Sequence, residues 1–170
     1  MNLKKNLVLI GMMGSGKTTI GRQISKKLRL KFADSDIEIE KKEKISVREI
    51  FNKKGESYFR AIEEKITMQI LNKNSNIISL GGGGFLNKKI QKKVLDKCIS
   101  FWLHWEAPVI AKRIKNSKKR PLINDLSEDQ IIELIYERSK VYEKADFKIS
   151  CENLDQNEIV NKIIKIYENK

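Results

Sequence analysis

The sequence predicts an α/β domain, a parallel sheet with helices on both faces. Two observations carry this. Short apolar segments alternate five times with segments of helical period, which is the pattern of strand–helix–strand crossovers. The first apolar segment also runs directly into a glycine-rich loop that opens a helix. Size agrees with a single domain, since 170 residues bury about 70% of the unfolded surface and need no disulfide to fold.

Residues 6–10, Asn-Leu-Val-Leu-Ile, are apolar without alternation and read as a strand covered on both sides. Ile20, Ile24 and Leu28 then mark one face of a helix over 16–28. Residues 30–34 are a second short strand. Ser46 and Glu49 form a capping box that opens a helix, and Gly55 suits its end. Phe59, Ile62, Ile66 and Ile70 line one face of the helix that follows. Residues 76–80 are a third strand that ends in Gly81-Gly82-Gly83-Gly84, and 98–103 are a fourth with helices on either side. Ser127 and Gln130 form a second capping box, opening a helix to about Lys144. Residues 146–150 are a fifth strand, and Ile159, Ile163 and Ile166 belong to a last helix. With no repeat and no linker, 1–170 reads as one domain. The polar stretch 115–127 is the segment expected to act as a lid.

Composition excludes several classes. Hydrophobic residues make up 40% and charged residues 34%, too apolar for a disordered chain and too polar for a membrane protein. No apolar run reaches the ~18 residues of a membrane span. Lys4 and Lys5 before Leu7–Ile10 resemble a secretion signal, but Gly11 and Lys17 interrupt the run and no small-residue cleavage site follows. Cys98 and Cys151 lie far apart, which argues against a disulfide scaffold or zinc site. A cytoplasmic protein is expected. The net charge of +13 raises a nucleic-acid partner, against a lysine-rich solvated surface. The lysines are scattered in ones and twos among acidic residues, without interleaved aromatics, so no nucleic-acid partner is expected. Only seven of the 35 basic residues are arginine. Arginine grips carboxylate and phosphate with a rigid fork that lysine lacks, so these seven are the residues to follow.

Gly11-Met12-Met13-Gly14-Ser15-Gly16-Lys17-Thr18 fits the phosphate-binding loop G-x-x-x-x-G-K-[ST], between a predicted strand and a predicted helix. Glycines let backbone N–H groups turn toward phosphate oxygens, and the helix start adds its dipole. Lys17 is expected on the β- and γ-phosphates and the Thr18 hydroxyl on Mg²⁺. A GTPase would carry Asn-Lys-x-Asp, which is absent. The acidic strand end is Asp34-Ser35-Asp36. Parallel strands put their C-terminal ends on one edge, so both aspartates are expected near the phosphates. One would serve Mg²⁺ through water and the other an acceptor hydroxyl; the competing reading makes Asp36 a helix N-cap. The four glycines would let backbone approach a ligand closely, or form a flexible turn.

Together these segments closely resemble shikimate kinase. The resemblance rests on Gly11 to Thr18, Asp34-Ser35-Asp36, Phe59-Arg60-Ala61-Ile62-Glu63, Gly81-Gly82-Gly83, Arg120-Pro121-Leu122 and Arg138. It implies the P-loop nucleoside-monophosphate-kinase fold, with five parallel strands ordered 2-3-1-4-5 and a lid, usually in a monomer. The substrate-binding region would span about 36–62. The implied reaction is transfer of the γ-phosphoryl of ATP to the 3-hydroxyl of shikimate, in aromatic amino-acid biosynthesis. By position, Asp36 resembles the residue that binds the substrate hydroxyls and takes the reacting proton, and Asp34 the one that holds a magnesium water. Arg60 and Arg138 resemble the carboxylate-gripping pair, with Glu63 orienting Arg60. Gly81, Gly82 and Gly83 resemble the loop against the substrate ring. Gly14, Ser15, Gly16, Lys17, Thr18 and Thr19 fall in the nucleotide loop. Arg113 resembles the residue stacked on adenine, and Arg120 the lid arginine that moves onto the phosphates. Lys17, Asp36 and Arg120 are thus the expected catalytic residues, with ATP and Mg²⁺ as cofactors.

Arg22, Arg29 and Arg48 have no such role and read as surface residues. A helix salt bridge to Glu56 or Glu64 is the competing reading of Arg60. Gly84 and Phe85 depart from the family pattern, and Cys151-Glu152-Asn153-Leu154 lacks a basic residue that some members place beside adenine. That leaves Arg113 to hold the base. Met12 and Met13 are expected to pack. The rival readings are a gluconate-kinase-like enzyme of the same fold and a basic nucleic-acid-binding module.

Overall fold

The computed structural model describes residues 5–74, 76–115 and 126–170. In chain order the strands are β1 (Asn6–Ile10), β2 (Lys31–Asp34), β3 (Asn76–Ser79), β4 (Cys98–His104) and β5 (Phe147–Ser150). The helices are α1 (Lys17–Leu28), α2 (Ser35–Glu43), α3 (Val47–Leu71), α4 (Lys88–Lys97), α5 (Ala107–Lys115), α6 (Glu128–Tyr142) and α7 (Gln156–Glu168), with a 3-10 turn at Gly84–Leu86. All four strand pairings are parallel. The sheet order is β2-β3-β1-β4-β5, the order the resemblance implies.

Alternation along β1 divides the core. Leu7 and Leu9 face a cluster with Ile20 and Ile24 of α1 and Ile159, Val160 and Ile163 of α7. Val8 and Ile10 face the opposite cluster, with residues from α2 through α6. Successive side chains of a strand point to opposite faces, so an unbroken apolar strand needs helices on both sides, and here it has them. Asn6 is the polar exception. It is 3% exposed, and its amide donates to the carbonyls of Leu71 and Lys73 and accepts from the Asn76 N–H, so its burial leaves these groups satisfied.

The capping boxes at Ser46 and Ser127 both form, and a third at Asp155 opens α7. Gly55 has φ 80 and ψ 170, a break inside α3 between the two helical stretches that the sequence separates there. A side chain at that φ would be strained. Close packing explains Gly21: a Cβ there would lie 2.5 Å from the Phe32 ring, so α1 sits directly against β2. Helix α6 ends at Tyr142, two residues short of the expected limit. Both cysteines are buried and free. Burial pushes the Cys98 thiol up to about 11 and the Cys151 thiol up to about 12, leaving neither as a thiolate at neutral pH. Among the described residues no helix is long and apolar enough to cross a membrane.

Candidate active site

The loop after β1 curls at the start of α1. Gly16 is the N-cap of α1 with φ 90, a left-handed conformation that glycine adopts freely. Lys17 is 7% exposed, and its ammonium donates to the carbonyls of Gly11 at 2.8 Å and Met12 at 2.9 Å. Gly14, Gly16, Lys17, Thr18 and Thr19 line one wall of a cavity of about 250 Å³.

Asp34 ends β2 and makes two kinds of contact. Its Oδ2 accepts from the Thr18 hydroxyl at 2.6 Å. Its Oδ1 accepts from the backbone N–H groups of Asp36 at 3.1 Å and Ile37 at 3.4 Å. The N-cap of α2 is therefore Asp34, which corrects the competing reading of Asp36. A cap must precede the first helical residue, and α2 begins at Ser35, so Asp36 already lies inside the helix. Its carboxylate is turned instead toward Gly81.

Why the loop after β3 is glycine becomes clear from what a side chain would meet. A Cβ on Gly81 would collide with the Asp36 carboxylate, and one on Gly83 with the Arg60 guanidinium. A Cβ on Gly82 would lie 3.3 Å from the Met13 nitrogen and 3.7 Å from Arg138 Nη1. None of the three has positive φ. Space and not backbone conformation thus favours glycine here: its small size lets side chains from α2, α3 and α6 close around the loop. Ser35 fastens the arrangement, its hydroxyl accepting from the Gly81 N–H at 2.8 Å. Tyr142 Oη donates to the Gly82 carbonyl. In the sequence Ser35 is a spacer between two aspartates, and nothing local marks it or Tyr142. Phe85 is 1% exposed and packs in the core behind the loop.

A second cavity of about 250 Å³ opens on the other side of Asp36, with Arg60, Glu63 and Arg138 in its wall. Thr18, Asp34, Asp36 and Gly82 line both cavities. Arg60 donates to Glu56 at 3.2 Å and to the buried Glu63 at 2.8 Å. The helix salt bridge is therefore present, to Glu56, while Glu64 pairs with Lys89 at 2.8 Å. Burial pushes the Glu63 carboxyl up, against the pull of Arg60 and then Arg138. Arg138 is 8% exposed. Its Nη1 reaches the Met12 sulfur at 3.8 Å, and its buried Nε has no hydrogen-bond partner among the described residues. An orphaned buried guanidinium N–H is costly, and an anionic ligand in the cavity would satisfy it.

Arg113 lies on α5 at the far end of the nucleotide loop. Its guanidinium sits 3.8 Å over the Trp105 ring, and a Cβ on Gly14 would touch its Cβ at 3.7 Å. Arg120 and most of the expected lid fall outside the described residues. Arg22, Arg29 and Arg48 are exposed, as expected.

Residues 13–168 match the family model described as shikimate kinase. The chain belongs to the shikimate kinase family. A curated shikimate kinase from Thermodesulfovibrio yellowstonii is 43% identical over 165 residues, covering 96% of this chain and 95% of that one. One from Bacillus subtilis is 36% identical, with 95% and 88% covered. The solved shikimate kinase from Acinetobacter baumannii, in complex with shikimate, superposes with a TM-score of 0.91 at 28% identity, covering 98% and 95%. That from Aquifex aeolicus gives 0.85 at 36% identity, covering 96% of each chain. A gluconokinase from Sinorhizobium meliloti shares the fold alone, with a TM-score of 0.57 at 16% identity. The shikimate kinase family accounts for the whole P-loop kinase architecture described above, and the gluconate-kinase alternative is not favoured.

Proposed function

We propose that this chain transfers the γ-phosphoryl group of ATP to the 3-hydroxyl of shikimate, giving shikimate 3-phosphate and ADP in aromatic amino-acid biosynthesis. The observation that carries this reading is the pair of adjoining cavities. One is walled by the P-loop and the other by two arginines, and Asp36 stands between them. An in-line transfer needs donor and acceptor on either side of one point.

On the nucleotide side, Gly14, Ser15 and Gly16 offer backbone N–H groups, and Lys17 turns from its loop carbonyls to the β- and γ-phosphates. Thr19 continues the contact from the first turn of α1, and Arg113 holds the base. On the acceptor side, Arg138 and Arg60 grip the carboxylate, with Glu63 fixing Arg60. Gly81, Gly82 and Gly83 lie against the ring. Asp36 accepts a hydrogen bond from the attacking hydroxyl and takes its proton. Arg120 moves onto the transferred group as 115–127 closes, excluding water and so preventing plain hydrolysis of ATP.

The Thr18 hydroxyl and the Asp34 carboxylate, 2.6 Å apart beside Lys17, are the hard oxygen donors that Mg²⁺ prefers. They fit it as a direct and a water-mediated ligand. When bound, Mg²⁺ would neutralise charge on the β- and γ-phosphates. The net charge of +13 favours an anionic nucleotide and acid, and we assign no nucleic-acid partner. Among the described residues the large exposed hydrophobics, Tyr58, Leu95, Val109 and Tyr136, sit on four different helices. That distribution supports a monomer, and a biosynthetic role supports a cytoplasmic one.

The test is ADP release with MgATP and shikimate, beside gluconate and nucleoside monophosphates. ADP formed with shikimate alone is expected. ADP formed with another acceptor instead would discard the reading of Asp36, Arg60 and Arg138.

A further inference from the structure

Trp105 lies between β4 and α5 and belongs to no motif. It is half-buried and packs against both core clusters. Two contacts single it out. Its indole Nε1–H donates to the Ser15 carbonyl at 3.1 Å, across 90 residues of sequence. Its ring carries the Arg113 guanidinium at 3.8 Å. Arg113 itself is exposed.

Each contact has a consequence for the nucleotide. A trans peptide points its C=O and the next N–H in opposite directions. Holding the Ser15 oxygen on the indole therefore directs the Gly16 N–H the other way, and Gly16 lines the phosphate-side cavity. The ring acts on the other end. A long exposed arginine samples many rotamers; one laid on an indole is held flat, with the opposite face presented. Helix α5 is fixed at its start as well, since Glu152 accepts from the Glu106 N–H. The segment without a basic residue thus steadies the helix that bears Arg113.

We infer that Trp105 is a positioning residue for ATP, the back layer of a three-layer stack with Arg113 in the middle and the purine in front. Its N–H sets the Ser15–Gly16 peptide at the phosphate end. The inference rests on the placement of Arg113 at the base proposed above. A cation over an aromatic face gives a modest gain, so the stack alone should change affinity about three- to tenfold.

The experiment is a comparison of steady-state constants for Trp105→Phe, which keeps a ring, and Trp105→Leu, which does not. Each is made with Arg113 present and in Arg113→Ala. With Arg113 present, KM for MgATP is expected to be about three- to tenfold higher for the Leu variant than for the Phe variant. KM for shikimate should stay within about twofold, a split that general loosening of the fold would not give. In Arg113→Ala the Phe and Leu variants should agree within about twofold, since the middle layer is gone.

Equal KM for the two with Arg113 present, while Arg113→Ala still raises KM for ATP, would overturn the role of Trp105 and leave Arg113 at the base. An Arg113→Ala variant with unchanged KM for ATP would remove both. Should Trp105→Leu fail to fold, Trp102→Phe protein, with Trp105 as its remaining tryptophan, reads the same contact. Its emission should change saturably with MgADP, and lose that response in Arg113→Ala. A wild-type Arg113 background with no response would overturn the stack.

Discussion

Replacing Arg138 by methionine should separate affinity from stability. In the free protein Arg138 is 8% exposed, its guanidinium touches the Met12 sulfur at 3.8 Å and its Nε has no partner among the described residues. Five N–H donors on a buried cation are thus served chiefly by a weak acceptor and by the neighbouring charge of Glu63. A carboxylate in the cavity would accept two of them. Hydrogen bonds to charged groups contribute about 1.5–3 kcal/mol each. A bidentate pair, less the cost of desolvating the ligand, leaves about 2–4 kcal/mol, or roughly a 30- to 800-fold loss in affinity. Methionine keeps an unbranched stem, stops two bonds short of the terminal guanidinium nitrogens and carries no charge. Exchange of a buried, poorly partnered ion for an apolar group is often neutral or stabilising. The expected outcome of Arg138→Met is therefore a rise in KM for shikimate of about 30-fold or more, with KM for ATP little changed and Tm equal to or above wild type. Steady-state kinetics and thermal denaturation read the two quantities. Shikimate KM within threefold of wild type would refute the carboxylate assignment; a fall in Tm of ten degrees would show that Arg138 holds the fold instead.

Gly83→Ala drives a methyl group into the Arg60 guanidinium, and titration with shikimate should show binding weakened about tenfold or more, at nearly native Tm. Asp36→Asn removes the proposed proton acceptor without changing size, so kcat should fall about 100- to 10,000-fold with shikimate still bound, as equilibrium titration would show. Arg120→Ala should lower kcat far more than shikimate affinity, which single-turnover and binding measurements separate. Burial first, and then the Lys148 cation, hold His104 below its ordinary 6.5. The unfolded chain therefore binds more protons below that pH, and stability falls as pH is lowered through it. His104→Gln should lose less Tm between pH 7 and pH 5 than wild type does.

The same contrast between local and distant partners runs through the site. Ser46, Ser127 and the P-loop act on residues within a turn or two of themselves, and local signals of that kind can be read along the chain. The Asp-Ser-Asp segment was legible as acidic but ambiguous in role. Which aspartate capped α2 depended on where that helix began, a matter of one residue that pattern alone leaves open. Glu63 and Arg60, three apart on one helix face, were within reach of sequence reasoning. Ser35 to Gly81 and Trp105 to Ser15 were not, because 46 and 90 residues separate the partners.

By itself, the sequence determined the alternation of strands and helices and the phosphate loop. Those follow from propensity, period and spacing, which are properties of neighbouring residues. Tertiary structure alone decided how they meet. Strand β3 lies between β2 and β1, with Ser79 level with both Asp34 and Leu9. That order carries the glycine loop into the gap between Asp36 and the P-loop, where a Cβ on Gly81 or Gly83 would push on the Asp36 or Arg60 side chain. The preference for glycine at 81, 82 and 83 is therefore imposed by residues far away in the chain, and only the packed sheet reveals which ones.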